Sequence, residues 1–491
     1  MALNHIKPIL AVLLLLLISF TASADIIDCD NCIDCSEKIQ NASIGDTVRL
    51  IENITDCDCT CINFNDSDSI IFDGMGHTIH GTRERSSNGV YLPAYSNMNT
   101  IKNLSITDFH NGIFLFTASY NTIENITAYH NRDTGITILY GKNTVRDCSL
   151  HENTYSDFYF RPHYTQDYES EVVNVTGSGG RDIGLYHADA DIRDKEFAAL
   201  YLCDADNATV SNVSIIGSSA YNNNGMRVYK TDNAVITGVT SSDNHYGISI
   251  EDSSNSTLIN STFEDNQHYN IYMSYGSDNT LQNVVTKGSR QAGIYLYHST
   301  NAVMSKILAD QNPFGIKLDN SPDNVINDSM IINNHIVGIS AAGTGSIGNL
   351  IYNNYFANAA NAWDGGGNIW NITETTGQNI IDGSRIGGNY WSDYNGTDED
   401  GDGFGEAPYN LSIGIDYLPL VYRGICGDVD QNGYVSANDV VEAYRNAVDP
   451  NYPIGSEWAA DVDGNGYISA NDVVEIYRNA VDPNHVLNCK A

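Results

Sequence analysis

One pattern recurs through most of the chain and limits what it can fold into. Asn99-Thr-Ile, Asn121-Thr-Ile and Asn143-Thr-Val are spaced by 22 residues. After an interruption come Asn207-Ala-Thr-Val, Asn233-Ala-Val-Ile, Ser256-Thr-Leu-Ile, Asn279-Thr-Leu, Asn301-Ala-Val, Asn324-Val-Ile and Asn349-Leu-Ile, spaced by 22 to 25 from residue 233 onward. A second element sits inside each unit: Gly112-Ile-Phe-Leu, Gly135-Ile-Thr-Ile, Gly247-Ile-Ser-Ile, Gly293-Ile-Tyr-Leu and Gly315-Ile-Lys-Leu. Apolar and polar residues alternate in these segments, which is strand periodicity. Asn, Asp and Gly punctuate the strands and suit the left-handed backbone of tight turns. A unit this short cannot close its own core, but stacked units can, each strand pairing with its equivalent in the next. The expected fold is all-β, a parallel β-helix solenoid of roughly ten to thirteen coils over residues 62–370. The recurrent Asn residues are expected to stack as structural ladders at the turns.

In Gly-Ile-x-Leu the Ile and Leu point inward, so x points outward. Stacking turns that position into a column: Tyr91, Phe114, Thr137, Tyr159, Tyr201, Arg227, Ser249, Tyr272, Tyr295, Lys317 and Ser340. The outward position two residues later gives Phe116, Arg161, Cys203, Tyr229, Glu251, Ser274, Tyr297 and Asp319. Aromatic rings stack on sugars, and flanking charges fix hydroxyls or uronates. Arg227, Tyr229, Glu251, Tyr272, Tyr295, Tyr297, Lys317 and Asp319 are therefore the candidate glycan-binding residues. The bland alternative is a solvated β surface with Tyr chosen for strand propensity. Glycoside hydrolysis needs two carboxylates about 5–9.5 Å apart. Glu251 and Asp319 lie three coils apart, which is too far. Asp204 and Asp206 with Arg227 or Glu251 are nearer. Residues 151–206 break the repeat with aromatic and charged residues, as a functional loop or a tolerated insertion would.

The opening Ile71-Phe-Asp-Gly-Met-Gly-His-Thr-Ile-His-Gly81, followed by Gly89-Val-Tyr-Leu and Asn99-Thr-Ile-Lys-Asn-Leu-Ser-Ile106, resembles the first coils of NosD-like right-handed parallel β-helix proteins. Gly387-Gly-Asn-Tyr-Trp-Ser-Asp-Tyr394, Asp398-Glu-Asp-Gly-Asp-Gly403 and Ala407-Pro-Tyr409 are similar to the segment that closes such helices in archaeal secreted members. The resemblance covers residues 65–422. It implies a right-handed solenoid and association with carbohydrate binding and sugar hydrolysis. The copper-enzyme role of the family's namesake is disfavoured, because clustered Met and His ligands are missing from the sequence.

The last 68 residues follow a different rule. Asp428-Val-Asp430-Gln-Asn432-Gly433-Tyr434-Val-Ser436-Ala437-Asn438-Asp439 has oxygen ligands at positions 1, 3, 5, 9 and 12, a backbone position at Tyr434, and Gly at the sharp turn. Asp461, Asp463, Asn465, Tyr467, Ser469 and Asp472 repeat this 33 residues later. Each loop runs into an apolar-periodic helix. The pair resembles a type I dockerin, a small all-α calcium-binding module. That resemblance implies Ca2+-dependent folding and docking onto a cohesin domain of a scaffold protein. The family's recognition positions correspond to Ala437-Asn438 and Ala470-Asn471, which match each other and depart from the Ser-Thr pair of cellulosomal dockerins. A calcium-stabilised cap with no partner is the alternative. Asp398, Asp400 and Asp402 form a third acidic loop, expected to be a structural calcium site.

Composition narrows the partners. Lys+Arg 24 against Asp+Glu 61 gives a net charge of −37, which excludes nucleic acid. Residues 1–24, with an apolar run and Ala22-Ser23-Ala24, read as a secretory signal peptide. No other apolar run approaches a membrane span, so the mature chain is expected to be secreted, extracellular or cell-surface associated. Ten cysteines in an exported chain point to disulfides, with a thiolate metal site as the alternative. Cys57, Cys59 and Cys61 at strand period would share one face, opposed by Cys29, Cys32 and Cys35, and Cys426–Cys489 would clasp the C-terminal module. Fourteen Asn-x-Ser/Thr sequons are glycosylation candidates. The expected organisation is a signal peptide (1–24), a Cys-rich cap (25–61), the β-helix (62–370), a second cap with the acidic loop (371–423) and the dockerin-like module (424–491). The expected function is a secreted carbohydrate-interacting protein tethered to a cohesin-bearing scaffold. The alternatives are a polysaccharide hydrolase or lyase, or a structural adhesion glycoprotein.

Overall fold

The computed structural model describes residues 24–491 apart from 189, 219–224, 344, 423, 488 and 490–491. The expected signal peptide, up to residue 23, lies outside the described residues.

One coil shows how the sequence builds the rest. Strand Thr100–Thr107 is bent by Asn103, which takes the left-handed backbone (φ 55°) that Asn tolerates better than other side chains. A turn leads to strand Asn111–Phe116. The next coil pairs in parallel register, Thr122 with Thr100 and Thr134 with Asn111. Ile101, Leu104, Ile106, Ile113 and Leu115 point inward and are buried. At the turns the recurrent Asn residues form the expected ladder. Asn121 Oδ1 accepts from Asn99 N (2.9 Å), and Asn143 Oδ1 from Asn121 N (3.0 Å). The same rung recurs between Asn312 and Asn334. Each side chain thus satisfies a buried backbone N–H that the turn leaves without a strand partner.

The solenoid is not one stack. Strands Ile62–Asn63, Asn88–Leu92, Asn111–Phe116, Thr134–Leu139 and Ser156–Arg161 form a five-stranded parallel face. Nine more, from Asp182–Tyr186 to Ala362–Asp364, form the equivalent face of a second stack, giving about 14 turns in all. This exceeds the ten to thirteen expected. Among the described residues, Ser156–Arg161 pairs on one side only, with Thr134–Leu139. The first core ends there and is closed by Ala199, Tyr201 and Cys203, which project from the outer face of strand Glu196–Cys203. The inner face of that strand supplies Leu200 and Leu202 to the second core. Tyr201 and Cys203, expected to be outward, are therefore 0% exposed. The second stack plugs the end of the first.

The ends are sealed differently. At the N-terminus helix Cys32–Asn41 packs beside strand Ile26–Cys29, which already belongs to the parallel sheet through Thr47–Leu50. Disulfides join Cys29 to Cys35 and Cys32 to Cys61. The sulfurs expected to share a face do come close, Cys57 Sγ lying 3.2 Å from Cys59 Sγ and within 4.8 Å of those of Cys32 and Cys61, although no regular strand carries all three. The strand Ile54–Cys57 stops at Cys57, and Cys59 turns out to solvent. At the far end Phe356, Trp370 and Trp391 close the second core, with Trp391 Nε1 donating to buried Asp416 (2.9 Å). Beyond it, helices Ala437–Val448, Glu457–Ala460 and Ala470–Val481 surround a small core of Val429, Ala443, Ala460, Val462 and Ile476. The Cys426–Cys489 disulfide is present. Among the described residues no helix is long and apolar enough to cross a membrane.

Candidate functional site

Where the two stacks meet, the outer face of the second forms a floor and the last strand of the first forms a wall. The predicted columns hold in the register: Tyr201, Arg227, Ser249, Tyr272, Tyr295, Lys317 and Ser340 stand side by side on successive strands. So do Cys203, Tyr229, Glu251, Ser274, Tyr297 and Asp319. Tyr155, Tyr159 and Arg161 come from the wall, and Arg227, Tyr229, Glu251 and Tyr272 from the floor. Together they line a groove of about 330 Å³.

Arg227 holds the groove together. Its Nε and Nη2 donate to the two carboxylate oxygens of Glu251 (3.0 and 3.1 Å), and its Nη1 donates to the Phe160 carbonyl (2.9 Å). That carbonyl lies on the strand edge that finds no neighbouring strand. The fork geometry of guanidinium suits one carboxylate and one carbonyl at once. Tyr201 Oη donates to Phe158 O (2.6 Å) on the same edge. Burial acts to lower the Arg227 pKa, but the paired Glu251 outweighs it and the guanidinium stays charged. The guanidinium also lies 5.1 Å from the Tyr229 ring centre.

Further along the floor, the rings of Tyr246, Tyr269, Tyr272 and Tyr295 form a continuous aromatic strip, with centres 4.8–5.8 Å apart. Tyr295 Oη donates to Asp319 (3.2 Å), and Lys317 Nζ stands 4.7 Å over the Tyr295 ring. Burial pushes the Tyr155 phenol up to about 12 and the Tyr246 and Tyr295 phenols higher still, so all remain protonated hydrogen-bond donors. Behind the wall His245 packs on Tyr155 (5.0 Å) and His268 (4.2 Å). Burial first, and then His268, lowers its pKa to about 4, so it is neutral.

All eight predicted glycan-binding residues lie on this one face, four of them in the groove. The wall residues Tyr155, Tyr159 and Arg161 were not among them. Asp204 and Asp206 do not join the groove; Asp206 instead accepts from the Asp232 backbone (2.7 Å). Glu251 and Asp319 are three strands apart, about 14 Å at ordinary strand spacing, and do not form a hydrolytic pair.

In the C-terminal module, carboxylate oxygens of Asp428, Asp430 and Asp439 lie within 4.8 Å of one another, as do those of Asp461, Asp463 and Asp472. Gly433 and Gly466 have positive φ (98° and 83°), as the sharp loop turn requires. Ser436 and Ser469 cap the following helices and donate to Asp439 and Asp472. Asn432 and Asn465 accept from the backbone N–H of Tyr434 and Tyr467, whose rings are exposed. Ala437, Asn438, Ala470 and Asn471 open the two helices. Three crowded carboxylates with no basic group within 4 Å among the described residues suit a hard divalent cation such as Ca2+. In the acidic loop of the cap, Asp398 and Asp400 are joined by Glu406, not by Asp402. One carboxylate oxygen of Asp402 accepts from the Phe404 N–H (2.8 Å), as Asn432 and Asn465 do from Tyr434 and Tyr467.

Fold and groove together define a right-handed β-helix protein built of two abutting stacks. The chain matches the family described as right handed beta helix region over residues 47–197, and that described as periplasmic copper-binding protein (NosD) over residues 173–396. A search of curated proteins finds no match. Among solved structures, the periplasmic alginate epimerase AlgG is 11% identical with a TM-score of 0.33, covering 70% of this chain and 81% of that one. The mannuronan C-5 epimerase AlgE6 A-module of Azotobacter vinelandii is 13% identical with a TM-score of 0.33, covering 71% and 97%. The pectate lyase Pel9A is 12% identical with a TM-score of 0.23, covering 71% and 78%.

Proposed function

We propose that this is an exported carbohydrate-binding protein that seats a glycan in the groove between its two stacks. One observation carries the reading: an aromatic strip of four tyrosines runs into a walled groove whose hydroxyl donors and charges converge on one space. Ring faces stack on the apolar faces of sugars while protonated phenols bind hydroxyls. Binding is favoured over hydrolysis because Glu251 is committed to Arg227, which leaves Asp252, the other carboxylate of the groove, without a free carboxylate partner for a two-carboxylate mechanism. Calorimetry of the full chain against an oligosaccharide panel tests this. Saturable binding that weakens on Tyr272→Ala supports it; no binding across the panel ends it.

The C-terminal module serves as the tether in this reading. Asp428, Asp430, Asn432, Ser436 and Asp439, the Tyr434 carbonyl, and their second-loop equivalents would hold Ca2+, which supplies charge neutralisation and lets the loops order. Ala437-Asn438 and Ala470-Asn471 would face a cohesin. Asp398, Asp400 and Asp402, joined by Glu406, would hold a further structural Ca2+ in the cap. Chelation is expected to melt the C-terminal helices while leaving the solenoid folded, as read by circular dichroism and proteolysis. Resistance of those helices to chelation would remove calcium from the account.

A further inference from the structure

The charges on the groove face are not all committed, and most of those left over are positive. Glu251 is held by Arg227, and Asp319 accepts from Tyr295 and from Asn320 (3.1 Å). The Arg161 side chain, exposed on the wall, has neither a carboxylate within 4 Å nor a hydrogen-bond partner among the described residues. Lys230, at the end of the Arg227 strand, lies over the rings of Tyr168 (5.9 Å) and Tyr229 (5.7 Å), with no carboxylate within 4 Å among the described residues though its charge acts on Asp252. Lys317 lies over Tyr295 and Phe314 without an acidic partner. Against these three cations, Asp252 is the one lining carboxylate that accepts no hydrogen bond among the described residues, and the Lys230 charge favours its ionised form. In a chain with 61 acidic and 24 basic residues, partners for a base are plentiful. Lys38, Arg49, Lys142, Arg146 and Arg385 each have one within 3 Å. Three bases on one aromatic face with no ion pair among the described residues stand out from that background.

Their placement fits an extended ligand. Arg161 and Lys230 flank the walled end. Lys317 lies four strands from Arg227 in the same column, about 19 Å along the axis at ordinary strand spacing. The tyrosine strip fills the interval. From this arrangement we infer that the groove is built for an acidic polysaccharide, lying along the solenoid axis with its sugar faces on the tyrosines and its anionic groups at Arg161, Lys230 and Lys317. The inference rests on the glycan reading above and adds the substrate class. A carboxylate or a sulfate ester would satisfy these cations equally.

Calorimetry of the full chain tests it with three hexasaccharides: a hexamer of galacturonic acid, a uronate-free sulfated hexasaccharide and a neutral glucan. At least one anionic hexamer is expected to bind about tenfold or more tighter than the neutral one. The preference should shrink as salt is added. It should also disappear in the double variant Arg161→Gln/Lys317→Gln, whose side chains are at the surface and whose folding is checked by its melting temperature. Which anionic hexamer binds identifies carboxylate or sulfate as the group recognised. Equal or tighter binding of the neutral glucan, or an anionic preference that survives the double variant, overturns the inference and leaves the glycan reading standing. Failure of all three to bind overturns both.

Discussion

The two stacks of the solenoid use the same coil, the same Asn ladder and similar outward aromatics, yet it is on the second that the aromatic column runs into a wall. In the first, Tyr91 and Phe114 stack at 5.7 Å on an open face. In the second, Tyr272 and Tyr295 sit at the same spacing, 5.6 Å, with rings tilted by 41°, but their strip runs into the edge of the first stack. The outward column is alike in chemistry; the difference is the wall. A repeat fold gains concavity when the repeat is broken and its two parts meet out of line, because a regular stack offers a flat sheet face.

Breaking the junction should have the largest effect. Arg227→Met removes the donor to Phe160 O and leaves the Glu251 carboxylate without its partner, costing about 3 kcal/mol. Denaturant unfolding followed by tyrosine fluorescence should separate into two transitions, one per stack. A single transition with an unchanged midpoint would show that the stacks do not depend on this contact. The next effect sharpens the likeness of the two stacks. Asn131→Ala in the first and Asn312→Ala in the second each orphan a buried backbone N–H, at a cost of about 2 kcal/mol. Comparable losses of melting temperature are expected; a large asymmetry would mean that the ladders are not equivalent.

A smaller difference depends on pH. His110 of the first stack faces Asp133 (3.8 Å), whereas His245 of the second is buried against Tyr155 and His268. With its folded pKa lowered from 6.5 to about 4, His245 refuses a proton that the unfolded chain accepts in that window. Stability should therefore fall as pH drops from 6.5 towards 4, by roughly 1–2 kcal/mol. His245→Gln should flatten that slope in pH-dependent thermal melts, and an unchanged slope would assign it to other groups. Smallest in stability, but decisive for the comparison, are Tyr272→Ala and Phe114→Ala. Each should cost under about 1 kcal/mol as a half-exposed ring. Only Tyr272→Ala should weaken oligosaccharide binding, by about tenfold, in calorimetry.

Most of the fold was legible because a period of about 22 residues with alternating strands admits few packings. The outward columns were readable residue by residue, since side-chain alternation is fixed once the inward Ile and Leu are known. The junction was not read, because the columns were carried across residues 151–206 as though the axis were continuous. A signal was present. Phe197-Ala-Ala-Leu-Tyr-Leu-Cys203 has no charged or amide residue in seven, unlike the alternating strands elsewhere, and a strand apolar on both faces is covered on both. In the C-terminal module the acidic loop positions were readable because ligand spacing in a twelve-residue loop is strict. In the cap loop Asp402 makes the same bond to the N–H two residues on as Asn432 and Asn465 do, while Glu406, which the spacing did not single out, joins Asp398 and Asp400.

The most direct test of the groove is hydroxyl-radical footprinting of the full chain, with and without a bound oligosaccharide, read by mass spectrometry on individual tyrosines. The account predicts protection of Tyr155, Tyr159, Tyr246, Tyr272 and Tyr275, from both walls of the junction, with Tyr91, Tyr95 and Tyr120 of the first stack unchanged. Protection centred on Tyr91 and its neighbours, with the junction tyrosines still reactive, would contradict it.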